Sequence, residues 1–489
     1  MPQYILILRC LILAFLAGEH AIARPNIVFL LADDQATISM GCYGNSDART
    51  PNLDSLSERG VTFDNHYDTT AICMASRATI LTGKYEYEHG CNFKKGKLKA
   101  SDFAQSYPLL LRRAGYLTAF AGKFGVDLAE GLPVNSFDKW GGGGGQTSYV
   151  TLRNKSMKEY AKKYPHSTLS YGAFGCDFIK EATKTDKPFC LSISFKAPHM
   201  PDTPDSKFNS IYKGKTFKRP PNFGREYAKH LSPQSKQGRQ WERWDSWGYS
   251  SKYDEVMRKY HQLVHGIDHA TGMIIDALQE NGALDNTVII YTSDNGFLCG
   301  SHGYGSKVLP YEESVRVPMI IFDPRHKSSG QGIRVSALTG NIDIAPTILE
   351  LAGLKAESGM EGKSLMSLLD APEKEIHKQL YLMNCWGPVA TQSLGVVTRD
   401  WKYIYWYYGQ EMNPTEELFD MRKDKLELFN VVNDPQRKRA LQLMRGHYDN
   451  GVASIKKKGA PTHKVYEKLF DRKIPWNQKA SLINSFKDK

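Results

Sequence analysis

Short, continuous apolar runs separated by helical patterns dominate the first two thirds of the chain and limit its possible folds. The runs are NIVFLL (26–31), LTAFAG (117–122), FCLSISF (189–195), TVIIYT (287–292) and PMIIFD (318–323). Strands that are apolar at nearly every position are typical of a parallel sheet whose two faces are both covered by helices. The sequence therefore predicts an α/β fold with a large, mostly parallel central sheet flanked by helices.

The pattern changes near residue 375. VVTRDWKYIYWYY alternates more strongly, which is typical of antiparallel strands, and DPQRKRALQLMRGHYDNG is helical. A chain of 489 residues also exceeds what one core usually holds. We predict a large domain over residues 24–375 and a smaller C-terminal α+β domain over residues 376–489, built on a short antiparallel sheet.

Local signals place two helices and one loop in the large domain. TPNLDSLSERG has a cap residue, a proline at the first helical position and a terminal glycine, and YHQLVHGIDHATGMIIDALQENG is a longer amphipathic helix. The glycine run 141–145 predicts a flexible loop.

Residues 1–23 have the layout of a secretory signal peptide, with Arg9, a short apolar run and the small-residue ending Ala21-Ile22-Ala23. The run is too short to span a bilayer comfortably, and no later segment approaches ~20 apolar residues. Cys10 lacks the small preceding residues of a bacterial lipoprotein site, which disfavours a lipid anchor. We therefore expect an exported protein, periplasmic or secreted, without a membrane span.

Positive charge is concentrated at the C-terminus. The chain has a formal net charge of +12, and residues 430–489 hold 14 Lys or Arg against 5 Asp or Glu, a net +9. Such a region either contacts an anionic polymer or surface or is simply a solvated face. Export argues against nucleic acid as the partner.

Polar residues follow four of the apolar runs: Ala32-Asp33-Asp34, Lys123, Lys196-Ala197-Pro198-His199 and Ser293-Asp294-Asn295-Gly296. In an open parallel sheet the carboxyl ends of the strands share one edge, where ligands bind. Singly, such motifs are usually turns. Together at strand ends they predict one site, and the oxygen ligands of Asp33, Asp34, Asp294 and Asn295 suit Ca²⁺ or Mg²⁺ and disfavour zinc.

Seven cysteines lie outside the predicted signal peptide, without CxxC or Cys/His zinc spacing, so no structural zinc site is expected. An odd number in an exported protein leaves at least one thiol unpaired or modified. Cys73, in TTAICMASRATILTGKY, lies on the predicted first turn of a helix. From the residues alone it is a structural cysteine, a disulfide partner, a thiolate nucleophile or a modification site.

CMASR followed by ATILTGKY resembles the signature of the sulfatase family, within the alkaline phosphatase superfamily. PNIVFLLADDQ, GYLTAFAGK, APHMP, TSDNG and GSKVLPYEESVRVP resemble the other family motifs, in family order from about residue 25 to residue 322. A weaker resemblance lies at WKYIYW and EELFDMRKD. The resemblance implies a sulfuric ester hydrolase.

The resemblance also implies that a maturation enzyme oxidises Cys73 to formylglycine. In the family, the hydrated aldehyde attacks sulfur through one metal-ligated oxygen, and its second hydroxyl then eliminates sulfate. It implies one cation, Ca²⁺ rather than Mg²⁺, held by Asp33, Asp34, Asp294, Asn295 and the modified Cys73. The helix that starts at Cys73 would direct backbone N–H groups towards the bound anion.

The remaining roles follow from chemistry and matched position. Arg77, one turn beyond Cys73, would hold the diol, Lys123 and Lys307 would contact the sulfate oxygens, and His199 would protonate the departing alkoxide. The family commonly has a histidine two residues after the first lysine, where this chain has Gly125. Either Lys123 takes over its role or another histidine does, and His302 is our candidate.

Residues 224–253 are rich in aromatic and basic side chains, which can stack on sugar rings and hold sulfates. The candidates for a saccharide subsite are Arg239, Trp241, Arg243, Trp244 and Trp247, and the alternative is a lid whose tryptophans pack on the body of the protein. Three functions remain open. They are an exported sulfatase acting on a sulfated carbohydrate, a phosphate or phosphonate ester hydrolase, and a non-catalytic binding protein with an unconverted Cys73.

Overall fold

The computed structural model describes residues 24–487, so the predicted signal peptide and Cys10 lie outside the described residues. Eight strands form the larger sheet: β1 Asn26–Asp33, β2 Val61–Tyr67, β3 Leu117–Lys123, β4 Lys139–Gly143, β5 Phe189–Pro198, β6 Thr287–Ser293, β7 Met319–Phe322 and β8 Ile333–Gly340. Their order in the sheet is β4-β3-β5-β1-β6-β7-β2-β8. Strand β7 runs antiparallel to both of its neighbours, whereas the other pairs are parallel.

The helices in residues 24–487 lie mostly between these strands and after them. They are α1 Pro51–Arg59, α2 Cys73–Thr82, α3 Glu86–His89, α4 Ala100–Ala104, α5 Tyr107–Arg113, α6 Ser167–Ala182, α7 Arg239–Ser246, α8 Tyr253–Glu280, α9 Glu312–Val315, α10 Ile344–Leu351, α11 Met366–Asp370, α12 Lys438–Lys458, α13 Tyr466–Leu469 and α14 Trp476–Lys487. No helix within residues 24–487 is both long and apolar enough to cross a bilayer.

Both faces of the larger sheet are buried, which explains the continuous apolar runs. Along β1, residues 27, 29 and 31 pack into one apolar cluster with α2, α5 and α10. Residues 28, 30 and 32 pack into a second cluster with α1, α6 and α8. Because successive side chains of a strand point to opposite faces, a strand covered on both sides needs apolar residues at every position. The predicted fold class is confirmed.

A second, four-stranded antiparallel sheet follows, with β9 Leu380–Asn384, β10 Ser393–Val397, β11 Trp401–Trp406 and β12 Thr415–Asp420 in the order β12-β11-β10-β9. Tyr403 and Tyr405 of β11 pack with α12 on one face. Ile404 and Trp406 pack on the other face, against residues that follow β6. This sheet is separate from the larger one, as predicted, and the domain boundary at residue 375 stays a prediction.

One buried lysine links the second sheet to the segment that contains α9. Lys402 of β11 is 0% exposed, and its Nζ lies 2.6 Å from Glu312 Oε1 and 2.8 Å from Glu427 Oε1. A buried cation between two buried carboxylates is stable only while all three groups remain together. The pairing therefore fixes β11 against the segment that contains α9.

Two local predictions need correction. Helix α1 begins at Pro51 as predicted, but Thr50 does not cap it, because its hydroxyl accepts a hydrogen bond from the Gly41 amide at 3.0 Å. Residues 141–143 of the glycine run belong to strand β4 and are not a loop. A Cβ on Gly141 would lie 2.7 Å from Met157 Sδ, so close packing, and not flexibility, requires glycine there.

Candidate active site

The polar residues that follow the parallel strands meet at one edge of the larger sheet. Asp33 and Asp34 end β1, Lys123 ends β3, and Asp294 follows β6, and all four are buried. The Asp34 amide donates to Asp294 Oδ1 at 3.2 Å, and Asn295 Nδ2 donates to Asp34 Oδ1 at 2.8 Å. Asp34 has a φ of 71°, a left-handed conformation that turns the chain sharply at the end of β1. The sheet edge thus collects these carboxylates.

Cys73 lies beside the carboxylates as the first residue of α2, with 1% exposure. Its Sγ lies 3.4 Å from Asp33 Oδ1 and accepts from Lys307 Nζ at 2.7 Å. Burial and the negative charge of Asp33 raise the pKa of the Cys73 thiol to about 12. The thiol is therefore protonated at neutral pH, which argues against an unmodified thiolate nucleophile.

Arg77 and Lys123 bind the carboxylates from the side of β3. Arg77 Nε donates to Asp294 Oδ2 at 2.8 Å, Arg77 Nη1 donates to the Lys123 carbonyl at 2.7 Å, and Lys123 Nζ lies 2.6 Å from Asp33 Oδ2. Burial would raise the pKa of Asp33, but the charges of Lys123, His199 and Arg77 lower it well below its ordinary value. Burial and Asp33 raise the pKa of Asp294 to about 6. Of Asp33 and Asp294, Asp33 is therefore the one more strongly held in its charged form.

Lys307 reaches the same carboxylates from the opposite side. It forms an ion pair with Asp34 and lies 4.0 Å from Asp33 Oδ1. Burial alone would lower its pKa, but Asp34 and Cys73 outweigh burial and raise it. The lysine is thus held in its charged form next to Cys73.

Several of these groups can hold a metal ion. Ligand atoms of Asp33, Asp34, Cys73 and His199 all lie within 4.8 Å of one another. Asn295 Oδ1 is buried without a hydrogen-bond partner, although its Nδ2 is bonded. An unpaired buried carbonyl oxygen beside two carboxylates is a plain candidate for a ligand of a hard cation. The donor set of this structure therefore fits a divalent metal.

His199 lies at the mouth of the cluster, with its side chain 21% exposed. Its Nδ1 contacts the Met200 carbonyl at 2.6 Å, and because a carbonyl only accepts, Nδ1 carries a proton. Its Nε2 lies 3.7 Å from Asp34 Oδ2. Burial lowers the pKa of His199, partly offset by Asp34 and Asp33, so the ring is mostly neutral near pH 7 and readily gives up a second proton once Nε2 has taken one up.

Gly125, where the family commonly has histidine, cannot carry a side chain without disturbing the site. Its φ is +69°, and a Cβ there would lie 2.7 Å from Arg77 Cδ and 3.2 Å from Lys123 Cε. The proposed substitute, His302, is fully buried elsewhere. Its Nδ1 contacts the Tyr227 carbonyl at 3.0 Å and its Nε2 contacts Asn222 Nδ2 at 3.0 Å. The structure does not bring His302 to the active site, because both ring nitrogens are engaged away from it.

A cavity of about 480 Å³ opens above Cys73, within the range of small-molecule sites. Arg239, Arg243 and Trp247 line it, as do Lys307 and His199. The Arg243 guanidinium lies 4.1 Å from the Trp247 ring centroid and donates to Ser306 Oγ at 2.7 Å. These three residues of the aromatic and basic segment therefore face the reacting group.

Two other predicted subsite residues do not face the cavity. Trp241 packs on Tyr304 with ring centroids 5.2 Å apart, and Trp244 packs on Phe223 at 4.8 Å. Trp241 and Trp244 therefore follow the alternative prediction, in which the tryptophans of this segment pack on the body of the protein.

Two residues that line the cavity were missed from the sequence, and a third, Lys196, was noted at a strand end without an assigned role. Trp386, which follows β9, lines the cavity, and the Arg239 guanidinium lies 4.0 Å from its ring centroid. Gln146 also lines the cavity. Lys196, at the end of β5, is buried with its Nζ 5.0 Å from the Tyr149 ring. The strand-end rule signals Lys196, whereas no local pattern marks Trp386 or Gln146.

The cavity at the carboxyl edge of the parallel sheet, lined by arginine and lysine side chains, is placed to bind an anionic ligand. Residues 25–354 match the profile of the Sulfatase family, and residues 300–450 match the profile described as N-sulphoglucosamine sulphohydrolase, C-terminal. The chain therefore belongs to the sulfatase family and is a sulfuric ester hydrolase.

Individual relatives agree with this assignment. An N-acetylglucosamine-6-O-sulfatase of Bacteroides thetaiotaomicron is 30% identical over 472 residues, covering 83% of this chain and 82% of that protein. A solved structure described as being in complex with its substrate D-glucosamine-2-N,6-O-disulfate is 27% identical with a TM-score of 0.74, covering 90% of this chain and 100% of that one. A phosphonate monoester hydrolase of Agrobacterium radiobacter, 22% identical with a TM-score of 0.70 over 89% of this chain and 96% of that one, shares the fold.

Proposed function

We propose that this sulfatase is exported and removes sulfate from a sulfated carbohydrate, with Cys73 converted to formylglycine. The observation that carries the proposal is the position of Cys73 at the floor of the cavity of about 480 Å³, with Lys307 on one side and His199 on the other. A buried thiol with a pKa of about 12 is a poor nucleophile. Hydrated formylglycine supplies the hydroxyl nucleophile that this thiol does not, and a formylglycine-generating enzyme is the partner that makes it.

The same residues support a bound cation, for which we propose Ca²⁺ ahead of Mg²⁺. Asp33, Asp34, Asp294, Asn295 and the modified Cys73 would hold it through oxygen atoms, and the unpaired Asn295 Oδ1 favours this arrangement. When bound, the cation supplies positive charge that makes a neighbouring hydroxyl more acidic. The more flexible coordination of Ca²⁺ suits ligands that come from two strand ends and a helix start.

The cationic side chains are placed to bind the sulfate group. Lys307 and Lys123 flank Cys73 and Asp33, so their ammonium groups would hold sulfate oxygens as negative charge develops there. Arg77, anchored on Asp294, would keep the nucleophile oriented. His199 would donate a proton from Nε2 to the departing alkoxide oxygen, while its Nδ1 stays bonded to the Met200 carbonyl.

The walls of the cavity support a sugar as the leaving group. Two planar, cationic surfaces line the cavity: Arg239 lies against Trp386, and Arg243 lies against Trp247. Aromatic planes suit the faces of a sugar ring, and guanidinium groups bind sulfates or carboxylates in bidentate fashion. Because one of the relatives is named an N-acetylglucosamine-6-O-sulfatase and a solved structure is described with D-glucosamine-2-N,6-O-disulfate as its substrate, we propose a 6-O-sulfated glucosamine unit as the first substrate to test.

The proposal is tested by measuring sulfate release from 6-O-sulfated N-acetylglucosamine and from a panel of other sulfated sugars. An aryl sulfate and the matching aryl phosphate, assayed side by side, separate a sulfatase from the phosphate or phosphonate ester hydrolase whose fold it shares. Mass analysis of the peptide that contains Cys73 should show the aldehyde in enzyme from a host that has the maturation enzyme. An unchanged thiol in fully active enzyme would disprove the role of formylglycine.

Export is proposed from residues 1–23 alone and has its own test. N-terminal sequencing of the protein recovered from the periplasm or medium should begin at Arg24. Protein found only in the cytoplasm with Met1 retained would contradict export.

A further inference from the structure

A second cluster of candidate metal ligands lies away from the carboxylates at the sheet edge. Glu86 of α3, Cys385 after β9 and His463 at the end of the 3-10 helix Pro461–His463 offer ligand atoms that all lie within 4.8 Å of one another. All three residues are 0% exposed. They come from segments about 80 to 380 residues apart in the chain, which is why no zinc spacing is visible in the sequence.

The hydrogen bonds around Glu86 leave one oxygen free. Glu86 Oε1 accepts from Asn92 Nδ2 at 2.6 Å and lies 3.0 Å from His463 Nε2. Glu86 Oε2 is buried and has no hydrogen-bond partner. Burying a carboxylate oxygen without a partner costs free energy, and a cation bound beside Glu86 would remove that cost.

The histidine is oriented for metal binding by its neighbour. Thr462 Oγ1 donates to the Gly90 carbonyl at 3.4 Å, and it lies 2.9 Å from His463 Nδ1. Because a carboxylate only accepts, His463 Nε2 carries a proton towards Glu86 Oε1 in the metal-free site, and that proton must leave before a metal binds. With its own proton directed to Gly90, the Thr462 hydroxyl accepts a hydrogen bond from Nδ1 and so holds Nε2 towards Glu86 and the proposed ion. Metal-binding histidines in proteins are commonly fixed in this way through their second nitrogen.

We propose that Glu86, Cys385 and His463 bind one zinc ion. Sulfur, nitrogen and oxygen ligands together are the set that zinc prefers, and the two carboxylate oxygens allow three residues to fill four positions. On binding, the Cys385 Sγ–H and His463 Nε2–H bonds break, both protons go to solvent, and the sulfur and Nε2 form bonds to the metal. One thiolate and one carboxylate then balance the two positive charges.

The proposed zinc site lies directly behind two aromatic residues of the active-site cavity, where an ion would hold the cavity wall in place. Cys385 directly precedes Trp386, and Asn92, which binds Glu86, directly precedes Phe93; both aromatic side chains line the active-site cavity. Their rings lie 6.3 Å apart between centroids. The zinc ion joins the two segments immediately behind this wall and holds it in place.

The first test is metal analysis of the purified enzyme, incubated with zinc and excess Ca²⁺ and then desalted. We expect one more zinc ion per chain in the parent and in the matched control Cys42→Ser than in Cys385→Ser. Zinc should also raise Tm in the parent and in the control but not in Cys385→Ser. Equal zinc contents in all three proteins would overturn the proposal and leave Glu86 and His463 as an ion pair only.

A second test does not depend on the folding of Cys385→Ser. Cobalt is added to the Cys73→Ala enzyme, so that the thiol of the catalytic cluster cannot contribute, and we expect a thiolate-to-cobalt charge-transfer band. In the same background, Thr462→Val should keep the band but weaken cobalt affinity about 10- to 100-fold. Absence of the band at saturating cobalt, or unchanged affinity in Thr462→Val, would refute the site or the orienting role of Thr462, respectively.

Discussion

Gly125 allows a sharp test of how the active site compensates for the histidine that the family commonly carries. Gly125→His would restore the family residue, whereas Gly125→Ala adds only the Cβ. That Cβ would lie 2.7 Å from Arg77 Cδ and 3.1 Å from Arg77 Nε, at a φ of +69°. Both substitutions therefore introduce the same contact with Arg77 and the same backbone strain, whatever the imidazole itself contributes.

The size of the effect follows from two contributions. A side chain in the left-handed region costs about 1–2 kcal/mol of folding stability. Relief of the contact displaces Arg77, whose Nε donates to Asp294 at 2.8 Å. A buried hydrogen bond between charged groups contributes about 1.5–3 kcal/mol, which corresponds to a loss of about 10- to 150-fold in kcat/KM if the bond is needed in the transition state.

The assay is urea unfolding together with kcat/KM on an aryl sulfate. Gly44→Ala is the matched control, because Gly44 has a φ of +92° with no atom within 4 Å of its Cβ position. It should lose about 1 kcal/mol of stability and keep full activity. If Gly125→His is as active as the parent or more active, the packing against Arg77 does not limit the site and our explanation of the missing histidine is wrong.

Three further predictions concern stability and metal binding. Lys402→Met should lower the free energy of unfolding by about 3–5 kcal/mol, since it leaves the buried Glu427 without its cationic partner while Glu312 keeps Arg316. The exposed Lys458→Met should lower it by less than about 1 kcal/mol, and equal effects in urea would contradict this. Burial lowers the pKa of His66 from 6.5 to about 4, so its contribution of about 3 kcal/mol is present above pH 6.5 and lost as pH falls towards 4. His66→Asn should flatten that part of the stability profile, and an unchanged slope would refute the assignment. Asp294→Asn keeps the size and shape of the side chain and should fold, but it should lose both activity and the rise in Tm with Ca²⁺; full turnover of the parent in strong chelator would exclude the metal.

The carboxylate cluster was predictable because a single rule covers it. Asp33, Lys123 and Asp294 each follow an apolar run. The carboxyl ends of parallel strands share one edge of the sheet, and this does not depend on the conformation of the connecting loops. The antiparallel direction of β7 was not predictable, since a run of four apolar residues carries no information on direction.

The residues that line the cavity above Cys73 were predictable only in part. Arg239 and Arg243 are four residues apart on α7 and share one face, whereas Trp241 and Trp244 lie on other faces, so the helical period could have separated them. Trp386 reaches the cavity through the packing of the second sheet on the first. That packing depends on contacts between residues far apart in the chain, which no local pattern reports.

The placement of Trp386 has a consequence for how specificity can change in this family. Cys73 and the residues proposed to hold Ca²⁺ all precede the second sheet in the chain, but Trp386 of the cavity wall follows the first strand of that sheet. A chimera with residues 24–375 from this chain and the C-terminal segment of a relative would keep the reactive centre and exchange part of the sugar-binding surface. Recombination at a single crossover can thus alter the sugar that is selected without touching the residues that break the ester.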